Sequence, residues 1–536
     1  MAKIAGRSLI GFRDGNGSGE PLYATDPTTG QHLQPGFIAA TPNEVDLAAR
    51  LASEAFVAYS RISGPGRGAF LRTIATKIES IADEIIERAG RETALPQARL
   101  QGETARTCAQ LRLFAQVAEE GSWVAARIDH ADPDRKPAPR PDIRSMLRPL
   151  GPVVVFGASN FPLAFSVAGG DTASALAGGN PVIVKAHAAH PGTSELVGQM
   201  VREAARECGM PEGVFSLLFG SGTQVGTALM KHPLVKAGGF TGSRAAGRVL
   251  MDVAAARPEP IPFYAEMSST NPVFILPGAL RERGDAIASG LHTSFTLGAG
   301  QFCTKPGMVF LPPGADTASF TDKLRQLVSA SNPFHLLTGA IHSSYDAALA
   351  KRKSDAAVTL VAEAPRPDEK GFAVSSALFE TDAAAFLGSD LDAEIFGPTT
   401  LLVHHSSREQ LLEIARSLEG HLTATIHGTQ QDLRDFADLV AILETKVGRL
   451  VFNGFPTGVE VCHAMVHGGP YPSTSDGRST SVGTRAIFRF TRAVCYQGFP
   501  NEALPEELKD ENPLGIWRMV DGYIMREAMS LAVGRK

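Results

Sequence analysis

The chain has 536 residues, 43% apolar and 20% charged, and its 51 Lys and Arg against 56 Asp and Glu leave a net charge of −5. That is the balance of an ordinary globular protein with ample chain for a large core. It excludes a nucleic-acid binder and any partner held by an extended charged surface.

Length suggests roughly three or four domain-sized units. The N-terminal residues lack the apolar stretch of a secretory signal, and no run approaches the roughly 18 apolar residues of a membrane span. The first 40 residues, rich in Gly, Asp, Thr and Pro, read as short strands and turns. At 41-TPNE-44 a Thr cap, a Pro at the first helical position and a Glu at the third open a helix. Phe70, Ile74, Ile78, Ile81 and Ile85 recur at helical spacing and predict one helix over 69–89. The proline-rich segment 130–152 predicts a linker or an extended crossing.

From 153 the pattern is regular. VVVFG (153–157), PVIVK (181–185), FSLLFG (215–220), VKAGGF (235–240) and PFYAEM (262–267) are short apolar strands separated by helical stretches. This alternation predicts right-handed βαβ units around a parallel sheet, with ligands beyond the carboxyl ends of the strands. A second alternation begins near 273 and includes MVFLP (308–312), LLVHH (401–405), LTATI (422–426) and RLVFN (449–453). The last 36 residues, holding Trp517, Met519 and 526-REAMSLAV-533, are expected to form a packing helix.

Five cysteines (Cys108, Cys208, Cys303, Cys462, Cys495) are widely spread without metal-ligand spacing. They predict no disulfide framework, no metal site and a reducing, cytoplasmic setting. Cys303, in 299-AGQFCTKPG-307, stands among small residues. A free cysteine is more often a small buried apolar residue; here it is also a candidate nucleophile. Asn160, in 157-GASNFPLA-164, either closes a turn or offers an amide to an oxyanion. Lys185 ends a strand on the ligand edge. The loop 220-GSGTQVG-226, beginning at Gly220, and 241-TGS-243, with Gly242 and Ser243, suit close backbone approach and anion placement at a helix start. Glu266 is a surface or cap residue alone and a base beside a thiolate. His187 and His190 lack a third ligand in view.

In order and spacing these pieces resemble the aldehyde dehydrogenase superfamily from about residue 20 to 500. The motifs are strand–Asn-Phe-Pro, strand–Lys, FTGS, the strand-end Glu, Cys303, 394-EIFGP-398 and 453-NGFPTG-458. The resemblance implies an α/β protein of that architecture. A Rossmann-type cofactor domain (1–124 and 151–280) would join a second α/β catalytic domain (281–465), a small β-flap for oligomerisation (125–150 and 485–500) and a C-terminal extension (501–536). It implies that Cys303 attacks an aldehyde and that Asn160 and the Cys303 N–H hold the oxyanion. Glu266 would activate the water that frees the acid, with a pKa raised by partial burial. Its presence favours hydrolysis over transfer to coenzyme A. Lys185 would meet the adenine ribose, and Glu394 with Phe396 the nicotinamide ribose and ring. Ala188 replaces the Glu of NAD-preferring members, which implies NADP as the preferred cofactor with NAD also used. Arg244 is a remote candidate for the extra phosphate.

The segments AEMSSTNP, GQFCTKPG and HGGPYPSTSDGRSTSVGTRAIFRFTRAVCYQGFP resemble 2-oxoglutarate semialdehyde (2,5-dioxopentanoate) dehydrogenases and a related NADP-dependent fatty aldehyde dehydrogenase. The implied substrate is a small aldehyde, with a long-chain aldehyde as the alternative and an inactive binding homologue as a remote one. An anionic substrate needs a cation, and Arg478 and Arg485 are candidates. The strand 493-AVCYQ-497 would be an unprotected edge in a monomer, so a homodimer or dimer of dimers is expected.

Overall fold

The computed structural model describes residues 4–365 and 370–528. Its first sheet has five parallel strands, Val153–Phe156, Val182–Lys185, Phe215–Leu218, Ala237–Thr241 and Phe263–Glu266. Helices cover both faces, so three of these strands are buried at every residue, as the apolar runs predict. The spatial order is 263–266, 237–241, 153–156, 182–185, 215–218, followed by the antiparallel pieces Leu9–Ile10 and Arg13–Asp14. From 153–156 the chain steps outward to 182–185 and 215–218, then returns to the other side for 237–241 and 263–266. The order therefore reverses between 153–156 and 237–241, which opens a crevice beyond their carboxyl ends.

The second sheet runs 359–363, 377–382, 399–404, 308–311, 273–275, 421–427, 447–452, parallel except for the first edge strand. Its strand Val273–Ile275 lies upstream of residue 281, so the chain crosses from one sheet to the other between Glu266 and Val273. A third sheet combines Arg127–Asp129, Ile143–Pro149 and Thr491–Gln497 with Arg518–Val520 and Tyr523–Met525. The proline-rich stretch is thus an extended crossing that ends in a strand.

Two expectations need correction. The helix expected over 69–89 is two, Gly64–Ser80 and Ala82–Thr93, broken at Ile81 (φ −124°, ψ 26°). Beyond the break, Glu92 accepts from the N–H groups of Gly192 and Thr193 at 2.8 and 2.9 Å. The second helix is thus aimed at the open N-terminus of the helix Pro191–Glu207, whose unpaired donors attract a carboxylate. The C-terminal segment is not helical through Trp517 and Met519. Arg518–Val520 runs parallel to Arg127–Asp129, turns at Asp521 and Gly522, and returns as Tyr523–Met525. The remainder of the expected helix, from residue 529, lies outside the described residues. The helix at Thr41 forms as read, with Thr41 and Glu44 in a reciprocal cap.

One long helix, Gln97–Glu120, carries no signal used above. Its apolar face, with Leu111 and Phe114, joins the core under the first sheet, and Leu100 joins a smaller cluster with Ile86 and Leu337. A second stripe, Arg99, Glu103, Arg106 and Gln110, faces the turn after Val153–Phe156. Glu103 there accepts from the N–H groups of Leu163 and Ala164 at 2.9 and 3.0 Å.

Candidate active site

The crevice at the strand reversal is a cavity of about 380 Å³. Its walls include Ala158–Asn160 from one strand end, Thr241–Ser243 from the next, Glu266–Ser268 from the third, Cys303, and Glu394–Phe396 from the second sheet's side. The fold therefore brings together Asn160, Gly242, Ser243, Glu266, Cys303, Glu394 and Phe396, which are far apart in sequence.

Cys303 is held by its backbone. Asn271 Nδ2 donates to the carbonyls of Cys303 and Lys305, each at 2.9 Å, while Lys305 Nζ donates to the carbonyls of Ile395 and Thr399 at 2.7 and 2.9 Å. Gly300, at φ +66°, passes so close to the second sheet that a Cβ would lie 2.2 Å from the Gly397 carbonyl oxygen. The nucleophile loop and the 394-EIFGP-398 segment are thus fixed against each other. Asn160 is buried, and its Nδ2 donates to the Gln301 carbonyl at 2.9 Å, which leaves a second amide hydrogen for the cavity.

The sequence reading missed His467. Its Nε2 lies 2.9 Å from Glu266 Oε1 and 3.4 Å from Cys303 Sγ. Ser481 Oγ donates to the other Glu266 oxygen at 2.7 Å. Both residues come from the segment 466–483, which is pinned across the end of Phe263–Glu266 by Met267 N–H donating to the Ser473 carbonyl at 2.8 Å. Burial by itself raises Glu266, but the attraction of His467 and the hydrogen bonds from His467 and Ser481 outweigh it. The carboxyl is held below its ordinary value, which corrects the expectation of a raised one. Burial pushes the Cys303 thiol well up, and the neighbouring Glu266 carboxylate pushes it further. In the resting site the thiol is therefore protonated, with the His467 ring and the Glu266 carboxylate beside it.

Of the expected cofactor residues, Lys185 and Gly220 do not line this cavity. They end the adjacent strand and the one beyond it, on the same sheet edge. Lys185 is buried, and burial pushes its ammonium down to about 8. Ala188 is exposed, with no carboxylate in its place. Arg244 is tied to Glu419 at 2.8 and 3.3 Å. His187 and His190 stack at 5.7 Å, and His190 Nε2 lies 2.7 Å from the Ala158 carbonyl oxygen, so they brace the loop. Burial raises Glu394 to about 7 against the pull of Lys305.

The residues fit a dinucleotide. Gly242 is required because a Cβ would lie 2.6 Å from the Phe240 ring, and Ser243 caps the helix Arg244–Ala255. At that helix start the Arg244 and Ala246 N–H groups go to Ser268 Oγ and Ser243 Oγ, so a phosphate would draw on the helix dipole and the Ser243 hydroxyl, and Glu394 in the opposite wall suits ribose hydroxyls.

A second wall around Cys303 was also missed. Phe161 packs edge-on against Phe165 and Phe302, each at 5.2 Å. Arg99 lies over the rings of Phe161 and Phe302 at 4.8 and 4.4 Å, and Arg106 over Phe165 at 5.3 Å. Arg478 and Arg485, the cations suggested by the sequence, are exposed, and Arg478 pairs with Asp476 at 3.1 Å. The periodicity of Arg99, Glu103 and Arg106 was visible, but a charged stripe on a helix ordinarily faces solvent.

The aldehyde dehydrogenase family is matched over residues 12–492. The chain is similar to alpha-ketoglutaric semialdehyde dehydrogenase 2 of Azospirillum brasilense, 50% identical over 524 residues covering 97% of this chain and 99% of that protein. It is 45% identical to an alpha-ketoglutaric semialdehyde dehydrogenase of Acinetobacter baylyi over 513 residues, 94% of this chain and 95% of that one. Among solved structures, the NAD+ complex of an aldehyde dehydrogenase from Bacillus cereus aligns with a TM-score of 0.78 at 21% identity. It covers 92% of this chain and 96% of that chain, and speaks for the fold.

Proposed function

The chain belongs to the aldehyde dehydrogenase family, and from that premise we propose that it oxidises alpha-ketoglutaric semialdehyde (2,5-dioxopentanoate) to 2-oxoglutarate. It is an NAD(P)-dependent oxidoreductase. The observation that carries the substrate is 50% and 45% identity, over nearly the full length, to two dehydrogenases named for that semialdehyde.

The Cys303 thiol gives its proton through the His467–Glu266 pair to solvent, which leaves the pair free to act again, and the thiolate forms a C–S bond with the aldehyde carbon. The carbonyl electrons move to oxygen, where the free Asn160 amide hydrogen and the Cys303 N–H receive the charge. NAD(P)+, when bound, supplies the acceptor for the hydride that leaves this carbon. Gly242, Ser243, Glu394, Phe396, Lys185 and Gly220 hold and orient it. Glu266, with His467 as proton relay, then deprotonates a water that adds to the thioester; the C–S bond breaks and the acid leaves. The exposed Ala188, which puts no carboxylate against a 2′-phosphate, supports NADP as the preferred cofactor with NAD accepted.

The first sheet with its helices serves the cofactor, and the second carries the nucleophile, with the division moved to between Glu266 and Val273. The third sheet serves oligomerisation. Its edge strand Thr491–Gln497 is largely exposed, which supports pairing with a second copy. Light scattering should return a dimer or tetramer, and a monomer at micromolar concentration would overturn that assignment. Among the described residues no helix is long and apolar enough to cross a membrane, and all five cysteines are free, in keeping with a reducing cytoplasm.

The test is the initial rate of NAD(P)H formation with 2,5-dioxopentanoate and with a long-chain aldehyde, each with NAD and NADP. The oxo acid should lead by on the order of 100-fold in kcat/KM. A lead for the long-chain aldehyde would overturn the substrate.

A further inference from the structure

A short aldehyde acid needs a cation to hold its far end, and the arginines proposed from sequence do not approach the site. We infer that Arg106 receives the substrate carboxylate, an inference that rests on the proposed oxidation of a carboxylate-bearing aldehyde.

Three arginines come near Cys303: Arg99 and Arg106 from the helix Gln97–Glu120, and Arg449 from the strand Val447–Phe452. Each has an electrostatic interaction with the thiol. Their remaining bonds separate their roles. Arg99 donates through Nη2 to the Asn160 carbonyl at 2.9 Å and lies 3.8 Å from Glu103, with its plane against Phe161 and Phe302. It braces the oxyanion turn. Arg449 spends both Nη atoms on the carbonyls of Gly458 and Pro456 at 3.1 and 2.6 Å, and so shapes the loop after its strand; only its Nε, on the inner side of the fork, is buried without a partner.

Arg106 is different. It donates through Nη2 to the Val459 carbonyl at 3.2 Å, whereas Nη1 is buried with no hydrogen-bond partner. The acids around it are otherwise engaged or outside. Glu103 spends Oε1 on Leu163 and Ala164, and its Oε2, 3.8 Å from Arg99, attracts Arg106 through space but makes no hydrogen bond to it; Glu266 is taken by His467 and Ser481; Glu460 is exposed. A buried guanidinium nitrogen without a partner is costly unless an anion completes it. Successive contacts link it to the chemistry. Arg106 lies on Phe165, the Phe165 ring is 6.1 Å from the His467 ring, and His467 Nε2 is 3.4 Å from the nucleophile sulfur. One turn further along the same face, Gln110 is buried with both amide atoms unpaired. This face therefore offers spare polar groups to the aldehyde side of Cys303, and none of it lines the cofactor cavity. A carboxylate on Arg106 would direct the aldehyde end toward Cys303, with the phenylalanines flanking the carbon chain.

The experiment compares wild type, Arg106→Lys and Arg106→Met, with 2,5-dioxopentanoate and with pentanal, a neutral aldehyde of the same length. The ratio of kcat/KM for the oxo acid over pentanal should fall about 100-fold in Arg106→Met, mainly through KM for the oxo acid, and less in Arg106→Lys. An unchanged ratio, including an equal loss on both substrates, would overturn the anchor. A second arm follows pentanal oxidation with 2-oxoglutarate as inhibitor. Competition with pentanal in wild type that is lost in Arg106→Met supports the anchor, and no competition in wild type overturns it. This arm stands apart from the functional reading, which fails separately if wild type itself does not prefer the oxo acid.

Discussion

Cys303 sits between two walls built in different ways. The cofactor side consists of strand ends and the turns that follow them: Ala158–Asn160, Thr241–Ser243 and Glu266–Ser268 project from neighbouring strands of one parallel sheet. Its polar groups are mostly backbone, hydroxyls and the two carboxylates Glu266 and Glu394, so it suits a ligand that is the same for every reaction of this kind. The aldehyde side is assembled from a distant helix and a long loop, through Arg99, Arg106, Phe165 and His467. It concentrates charge and aromatic surface, and it leaves a buried guanidinium nitrogen unpaired, at a cost of about 1–3 kcal/mol. A sheet edge fixes positions through backbone hydrogen bonds and tolerates little change. Side chains on a helix face can be exchanged without moving the nucleophile, and selectivity is expected there.

The comparison breaks most severely at the sulfur itself. Cys303→Ala should lower kcat by at least about 10⁴-fold and abolish the first-turnover burst of NAD(P)H. Glu266→Gln should act later. Its carboxylate meets both the thiol and His467, and with His467 left to take the thiol proton the burst should survive while steady turnover falls about 10²–10³-fold. Stopped-flow fluorescence of NAD(P)H separates the two. If Glu266→Gln lost the burst as well, the carboxylate would be needed to ionise Cys303, and the two halves of the chemistry would not be separable.

The same division governs what the sequence discloses. Period-2 and period-3.6 patterns mark strands and helices, and an apolar strand followed by a small-residue turn marks a ligand edge. Asn160, Gly242, Ser243 and Glu266 sit in or beside such a turn, while Cys303 precedes the strand Met308–Leu311; the roles of all five were read from the resemblance of the ordered motifs and not from any one turn. Lys185 and Gly220 were legible as strand ends, but only the strand order shows how far along the edge they lie from the cavity. His467 was not legible. The segment 466–483 has no periodicity, and nothing local distinguishes His467 from His463 until Met267 and Ser473 pin that segment over Glu266. Arg106 was hidden for the opposite reason: the stripe of Arg99, Glu103 and Arg106 is regular, but a charged stripe on a helix ordinarily faces solvent, and it was not read as part of a site. The break at Ile81 depends on Glu92 reaching a helix start 100 residues away, which no window of local sequence contains.

The cofactor wall can be sharpened by pH at Lys185, where the expected effect is smaller. Burial holds its ammonium near 8 instead of the ordinary 10.5, so the charged donor is fully present below about 8 and lost above it. If that ammonium meets the cofactor, kcat/KM for NAD(P) should fall about tenfold as pH rises from 7 to 10, the loss of one charged hydrogen bond. Lys185→Met should flatten that fall. Stability should move the other way. Between about 8 and 10.5 the unfolded chain carries a proton at Lys185 that the folded chain does not, so this group's contribution to stability rises with pH across that window. Melting temperatures of wild type and Lys185→Met should therefore differ most at the acid end of the window and converge toward pH 10.5. Rate and stability changing in the same direction would mean that Lys185 is not a buried ammonium facing the cofactor, and the sheet edge would have to bind the ribose through backbone alone.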